Sequence, residues 1–175
     1  FVFGDEVISI KLEIERSLSK GVSWLNNEQN ATSGSWGEAD YPALTALALR
    51  STMGHPDLSV VNQFSSNQKK GFSFILSKVQ SDGGIYGKGL ACYNTSICMM
   101  ALLQSKNPEY NDVIKSARRF LVNQQSDFDQ KGKTDNTFDG GVGYGSRWAH
   151  SDLSNTHRAM EALFYAKKTL VLALC

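Results

Sequence analysis

Hydrophobic residues in this chain fall into two kinds of segment, and both kinds predict helices. In the first kind, apolar residues recur every three or four positions, which places them on one side of an amphipathic helix. The clearest examples are the stripe Val7, Ile10, Ile14, Leu18 and Leu25 and the stripe Val113, Ile114, Ala117, Phe120 and Leu121. In the second kind, over 43–49 and 97–103, the chain is apolar nearly all round. Helices of that kind are buried on every side.

A glycine-rich window separates the two kinds of segment three times along the chain. Ten of the fifteen glycines lie in these windows, which span 34–37, 82–89 and 139–145. An amphipathic segment leading into glutamine precedes each window, and an apolar segment rich in small residues follows it. The period is about 50 residues, which is typical of a repeat built from one supersecondary unit. The repeat units span about 5–53, 62–105 and 109–168 within a single domain, 1–175.

Each unit is therefore interpreted as a helical hairpin with an amphipathic outer helix, a loop and a buried inner helix. Because one hairpin cannot bury its own apolar face, we expect the three inner helices to pack side by side under the outer helices. Asn107-Pro108 fits a polar N-cap followed by proline at the first helical position, and Asp40-Tyr41-Pro42 is similar. The predicted fold class is all-α.

Two of the loops share a motif in which a glutamine is followed by a glycine and then an aromatic residue. The second loop has Gln80, Gly84 and Tyr86, and the first has Gln29, Gly34 and Trp36 with one extra residue. The glutamine amide can satisfy backbone groups at the end of the outer helix, and glycine permits a tight turn with positive φ. The aromatic ring can cover the glutamine and fill the space between neighbouring hairpins.

Together with the Gly-Gly loops and the segment 151–156, these motifs resemble the repeats of the squalene–hopene cyclase and prenyltransferase β-subunit superfamily. The resemblance covers roughly 11–168. It implies an α/α toroid, in which inner and outer helices alternate around a central apolar cavity. A closed ring of this kind contains more than three hairpins. The expected architecture is therefore an α/α toroid-like array of three helical hairpins, about half of a closed barrel.

Composition and charge exclude several other classes of protein. Hydrophobic residues make up 41% and charged residues 20%, as in ordinary globular domains. Lys and Arg total 18 against 17 Asp and Glu, so the chain has no basic field for nucleic acid.

No apolar run reaches the ~18 residues of a membrane helix. Cys92, Cys98 and Cys175 match neither a disulfide framework nor a metal motif, and we expect no metal or cofactor. The compartment is not indicated.

The resemblance implies a domain that binds an apolar, isoprenoid-type ligand, as prenyltransferases and terpenoid cyclases do. Such cyclases protonate an alkene with the middle acid of an Asp-x-Asp-Asp-Thr segment. The matching residues here begin at Asp152, and Ser154 stands in the position of the acid. A serine hydroxyl cannot protonate an alkene, so this replacement counts against cyclase activity.

Candidate site residues cluster near the glycine windows and the inner-helix starts. The candidate catalytic residues are Asp152, His157 and Asp139. The candidate ligand-binding residues are Tyr86, Tyr93, Tyr144 and Trp148, whose rings could contact a cationic or apolar ligand. An alternative for Tyr86 and Tyr144 is that they pack between hairpins as Trp36 does.

Two other functions stay open at this point. The first is a non-catalytic α/α repeat scaffold that binds protein or peptide, since a fold does not fix its function. The second is a carbohydrate-active toroid, which needs two facing carboxylates in a cleft. An enclosed aromatic cavity would favour the isoprenoid ligand, and an open polar groove the scaffold. The expected partners are an apolar small molecule and either a homo-oligomer or further repeats of the same chain that complete the ring.

Overall fold

A computed structural model describes residues 3–54, 64–145 and 150–172 of the chain. Over these residues the fold is all-α, as predicted, and the only β-type contacts are the isolated bridges Val79–Ile85 and Gln125–Val142. A short 3-10 turn, Pro108–Tyr110, leads into the fifth helix. The helices are α1 (Phe3–Glu28), α2 (Pro42–Met53), α3 (Ser66–Leu76), α4 (Ala91–Gln104), α5 (Asn111–Asn123) and α6 (Leu153–Leu172).

The helices α2, α4 and α6 form an inner layer, in which α4 packs against α2 on one side and against α6 on the other. Outside this layer, α3 packs on α2, and α5 packs on both α4 and α6. The middle helix α4 is buried on nearly every side, from Ala91 to Leu103. The two segments that are apolar nearly all round therefore form helices that lie next to one another. The prediction that both are buried on every side is confirmed for α4 only, because Leu44 and Leu47 on one side of α2 are each 41% exposed.

One hydrogen bond recurs in all three hairpins and fixes how their residues correspond. A threonine in the first turns of each inner helix accepts a backbone N–H from the preceding loop. The pairs are Thr45 with Trp36 (3.0 Å), Thr95 with Ile85 (2.8 Å) and Thr156 with Val142 (2.9 Å). Trp36 therefore corresponds to Ile85 and Val142, whereas Tyr86 and Tyr144 lie one and two residues later.

The loop glutamines also recur, and they hold the loops closed. The Nε2 of Gln29 donates to Gly34 O at 2.8 Å, and that of Gln80 donates to Tyr86 O at 2.7 Å. In the third loop, the Nε2 of Gln125 donates to a glycine carbonyl at 2.9 Å. Gln29 also donates to Asn67 O, 2.9 Å away in the next outer helix. Each amide thus donates to a carbonyl of its own loop and holds that loop closed.

The helix starts confirm one predicted cap and correct the other. Asn107 accepts the N–H of Glu109 and caps the turn that leads into α5. Asp40 does not cap α2, because the cap position is Tyr41, which makes no side-chain cap bond. The N–H of Ala43 is accepted instead by Asn94 Oδ1 of α4 at 3.1 Å. A neighbouring helix therefore supplies the partner that we expected from the adjacent sequence.

The apolar stripe predicted to be buried on α1 is largely exposed. Ile10, Ile14 and Leu18 all face solvent, and only Leu25 of the stripe is partly buried. The side chain of Val7 lies outside the described residues. The contacts of α1 with the rest of the fold lie near its end, where the Trp36 indole donates to Leu25 O at 2.6 Å. The stripe correctly predicts the helix α1. Its apolar face, however, has no neighbouring hairpin among the described residues.

Candidate functional site

Three of the predicted site residues come together at the start of the inner helices α4 and α6. The rings of Tyr93 and Tyr144 lie 6.3 Å apart between centroids. The N–H of Cys92, next to Tyr93, donates to Tyr144 O at 3.0 Å. Asp152, at the start of α6, lies close enough to the Cys92 thiol to affect its ionisation. This cluster combines two rings, a thiol and a carboxylate.

Asp152 acts as a helix cap in this cluster. Its Oδ1 accepts the N–H of Asn155 at 2.9 Å, and its Oδ2 accepts the Asn155 amide at 2.7 Å. An acidic N-cap is favoured because it satisfies free N–H groups at the positive end of the helix. Both carboxylate oxygens are therefore engaged in holding α6. Ser154, in the position expected for the acid, is exposed.

Cys92 and Cys98, the two cysteines that the structure describes, are held as neutral thiols. Burial, reinforced by the negative charge of Asp152, raises the pKa of Cys92 to about 12. Burial also raises the pKa of Cys98. Because the thiolate is the nucleophile and the metal ligand, neither thiol is reactive at neutral pH. Within the described part of the chain, no group of three or more His, Cys, Asp or Glu residues could hold a metal ion.

Tyr86 lies away from this cluster, at the junction between the second and third hairpins. Its ring packs 5.9 Å from that of Phe120, and its hydroxyl donates to Asp82 Oδ2 at 2.7 Å. That hydrogen bond, burial and the Asp82 charge raise the pKa of Tyr86 to about 12. These contacts match the alternative in which Tyr86 packs between hairpins.

The other two candidate catalytic residues are Asp139, in the third loop, and His157, in the second turn of α6. The Asp139 carboxylate accepts the N–H groups of Phe128 (2.7 Å), Asn136 (2.9 Å) and Asp135 (3.1 Å). These hydrogen bonds lower its pKa and organise the long third loop. His157 is exposed. Trp148 lies outside the described residues.

A separate cavity of about 660 Å³ opens near the other end of the inner helices. Its apolar wall comes from α4, α5 and α6. The apolar wall residues include Met100, Leu103, Ile114 and the ring of Tyr165. Pockets that bind small molecules typically measure ~300–1,000 Å³ and are mostly apolar. None of the predicted site residues that the structure describes lines this cavity.

The polar rim of the cavity is held by hydrogen bonds and ion pairs. The Arg50 Nε donates to Gln104 Oε1 at 3.3 Å, and the Gln104 amide donates to Arg50 O at 3.3 Å. Glu161 lies 3.9 Å from the Arg50 guanidinium and 3.6 Å from that of Arg158. The carboxylate is thus engaged with two cations and forms part of the rim.

Three residues of the cavity occupy equivalent positions once the loop-bonded threonines are known from the structure. Arg50, Met100 and Glu161 each lie five residues after the loop-bonded threonine of their hairpin. They therefore occupy the same position in three helices that lie side by side. A charged residue at that position of a largely apolar helix marks a surface that is open to solvent.

Comparisons with known proteins add no relative to this picture. A scan against models of protein families found no match, and neither did searches of the curated proteins and the solved structures. No helix among the described residues is long and apolar enough to cross a bilayer. The class of protein that the fold defines is accordingly an all-α protein with a cavity beside its inner helices.

Proposed function

We propose that this chain is a prenyltransferase- or squalene–hopene-cyclase-like domain that binds an apolar, isoprenoid-type ligand. The observation that carries the proposal is the cavity of about 660 Å³ beside the inner helices. Its wall of Met100, Leu103, Ile114 and Tyr165 offers hydrocarbon and aromatic surface. An isoprenoid chain would gain ~25 cal/mol for each Å² of apolar surface removed from water there.

The proposed architecture behind this site is about half of an α/α toroid. In its support, α2, α4 and α6 lie side by side, and all three hairpins share the threonine and glutamine loop bonds. A homo-oligomer or further repeats of the same chain would complete such a ring.

The proposed role is binding rather than cyclisation. Protonating an alkene needs a neutral, strongly acidic carboxyl aimed into an apolar pocket. The carboxyl group in the cavity wall is that of Glu161, which pairs with Arg50 and Arg158. Asp152, at the other end of the inner layer, is engaged as the cap of α6. Neither acid is free to start a cation cascade.

Binding of farnesol and geranylgeraniol, measured by tritium-labelled ligand retention, tests the proposal. Tyr165→Lys places a charge in the apolar wall and should weaken binding by about tenfold or more, equivalent to ~1.4 kcal/mol. Phe128→Lys is the matched control, because Phe128 is similarly exposed (42% against 44%) and lies outside the cavity wall. No binding to the native protein, or equal loss in both variants, would contradict the proposal.

The second candidate is a non-catalytic scaffold that binds a peptide. The observation that favours it is the rim of Arg50, Gln104 and Glu161, which offers hydrogen-bonding groups beside an apolar wall open to solvent. Peptide binding should weaken strongly in Gln104→Ala, whereas isoprenoid binding should change little. A carbohydrate-active site is less favoured, because Glu161 is the one carboxylate among the described residues that line the cavity.

A further inference from the structure

The three hairpins place equivalent residues in different surroundings, depending on whether a neighbouring hairpin is present. On the side of α4 that faces α6, Cys92, Ser96, Met99 and Leu103 are all buried. Cys92 adjoins Asp152, and Leu103 lines the cavity together with Glu161, which identifies the side. The corresponding side of α2 faces α4. Its residues are Pro42, Ala46 and Leu49, which are buried, and Met53, which is partly buried.

Among the residues that the structure describes, no element packs on the same side of α6, and this side is strongly apolar. Counting from the loop-bonded threonines, the equivalents on α6 are Leu153, His157, Met160 and Phe164. Leu153 is 87% exposed, Met160 65% and Phe164 63%. We call these four residues the following edge. They continue the register by which α2 packs on α4 and α4 packs on α6.

At the opposite end of the inner layer, α2 leaves exposed the side that is buried in α4. Asn94 and Ile97 of α4 face α2, because Asn94 Oδ1 bonds the N–H of Ala43, and both are at least 97% buried. Their equivalents on α2 are Leu44 and Leu47, which are each 41% exposed. Two leucines thus lie where an inner helix packs in the other hairpins.

In the outer layer, α1 also leaves exposed a residue whose equivalents in the other outer helices are buried. Trp24 of α1 corresponds to Phe74 and Phe120, which are 6% and 5% exposed, yet Trp24 is 61% exposed. A Cβ on Gly71 would approach the Trp36 ring to 2.9 Å, whereas a Cβ on the equivalent Gly21 would meet nothing within 4 Å. We call Trp24, Leu44 and Leu47 the preceding edge.

We propose that the following edge of one copy of this chain binds the preceding edge of a second copy. The chain makes one kind of inner-helix junction twice internally, between α2 and α4 and between α4 and α6. The two edges carry the two halves of a third such junction, so a second copy of the chain fits. Met160 and Phe164 would lie against Leu44 and Leu47, as Met99 and Leu103 lie towards the next inner helix within the chain. The contact is head to tail, so it closes a ring or extends into a filament according to its rotation. This inference concerns the ends of the array and does not depend on what the cavity binds.

A complementation experiment tests it by sedimentation. One variant carries Met160→Glu and Phe164→Glu, which blocks the following edge, and another carries Leu44→Glu and Leu47→Glu, which blocks the preceding edge. Each variant alone should be monomeric, because every head-to-tail contact needs both edges. An equimolar mixture should form dimers and nothing larger, because one intact edge of each kind remains. The native chain should form dimers or larger assemblies that increase with concentration.

Leu12→Glu is the matched control, since Leu12 is 59% exposed and belongs to neither edge. This control should associate like the native chain, and all variants should keep native helicity by circular dichroism. A native chain that is monomeric at every concentration overturns the inference. So does a mixture of the two edge variants that stays monomeric, because a contact between identical edges is not restored by mixing.

Discussion

The hydrogen bond between Thr95 and Ile85 offers a direct test of the loop–helix junction. Thr95→Val keeps the size and branching of the side chain but removes the oxygen that accepts the Ile85 N–H at 2.8 Å. Both residues are fully buried, so no water replaces the lost partner. An unsatisfied buried donor costs ~1–3 kcal/mol, and the added methyl group returns at most ~0.8 kcal/mol.

The expected net effect is a loss of about 1–2 kcal/mol in the free energy of unfolding. For a chain of this length, each kcal/mol lowers Tm by about 2–4 °C, so Tm should fall by roughly 2–8 °C. Urea unfolding followed by far-ultraviolet circular dichroism measures the change. Thr45→Val should behave similarly, because Thr45 accepts the Trp36 N–H at 3.0 Å in the first hairpin.

The matched control is Thr134→Val, in which the same chemical change is made at an exposed loop position. It should leave the urea midpoint unchanged. If Thr95→Val unfolds at the native urea concentration, the shared threonine bond does not hold the hairpins and the correspondence drawn from it is unsupported.

Three further outcomes follow from the loops and the buried thiol. Gly83→Ala should destabilise the protein by ~1–3 kcal/mol in urea, because Gly83 has φ 90° and a Cβ there lies 2.8 Å from Ser116 O. Gly132→Ala, with positive φ but open space, should cost less. The Cys92 thiol stays protonated in the folded chain up to about pH 12, against an ordinary pKa of 9.0. Stability should therefore be lost as pH rises from 9.0 towards 12, and a Tm series should be flatter in Cys92→Ala. Asp139→Ala should accelerate limited proteolysis of the third loop, because three N–H groups lose their acceptor.

The parts of the fold that depend on local pattern could be predicted from the sequence. The all-round apolar segments became α2 and α4, and the glycine windows became the loops between outer and inner helices. These signals work because helix periodicity and glycine conformation are properties of a few consecutive residues. The capping box of Ser65 and Gln68 at the start of α3 is a signal of the same kind that went unused.

Whether an apolar stripe is buried depends on the element that packs against it, so burial could not be predicted from the stripe alone. The stripe on α1 is as regular as the one on α5, yet Leu18 is exposed and the equivalent Ile114 is buried. Threonine was equally uninformative, because Thr95 in an apolar helix resembles core filler until its partner Ile85 is known. The first case depends on which element packs alongside, and the second on a loop residue ten positions earlier in the same unit.

The candidate site shows the same division. Residue type led to candidates at the inner-helix starts, and three of them, Tyr93, Tyr144 and Asp152, lie around Cys92. It could not show that Asp152 is engaged as a cap, since capping and acid catalysis both favour an aspartate at a helix start.

The cavity shows that equivalent positions on the three inner helices indicate which residues meet in space, which a single motif does not. Arg50, Met100 and Glu161 look unrelated in three separate segments, but each follows its loop-bonded threonine by the same number of residues. Because α2, α4 and α6 lie side by side, equivalent positions become spatial neighbours, and a cation, a thioether and a carboxylate meet at one surface. The central helix contributes the apolar floor and the flanking helices the charges. A change at any one of the three positions should therefore alter the cavity, whereas the same change one residue earlier, at Leu49, would alter the core instead.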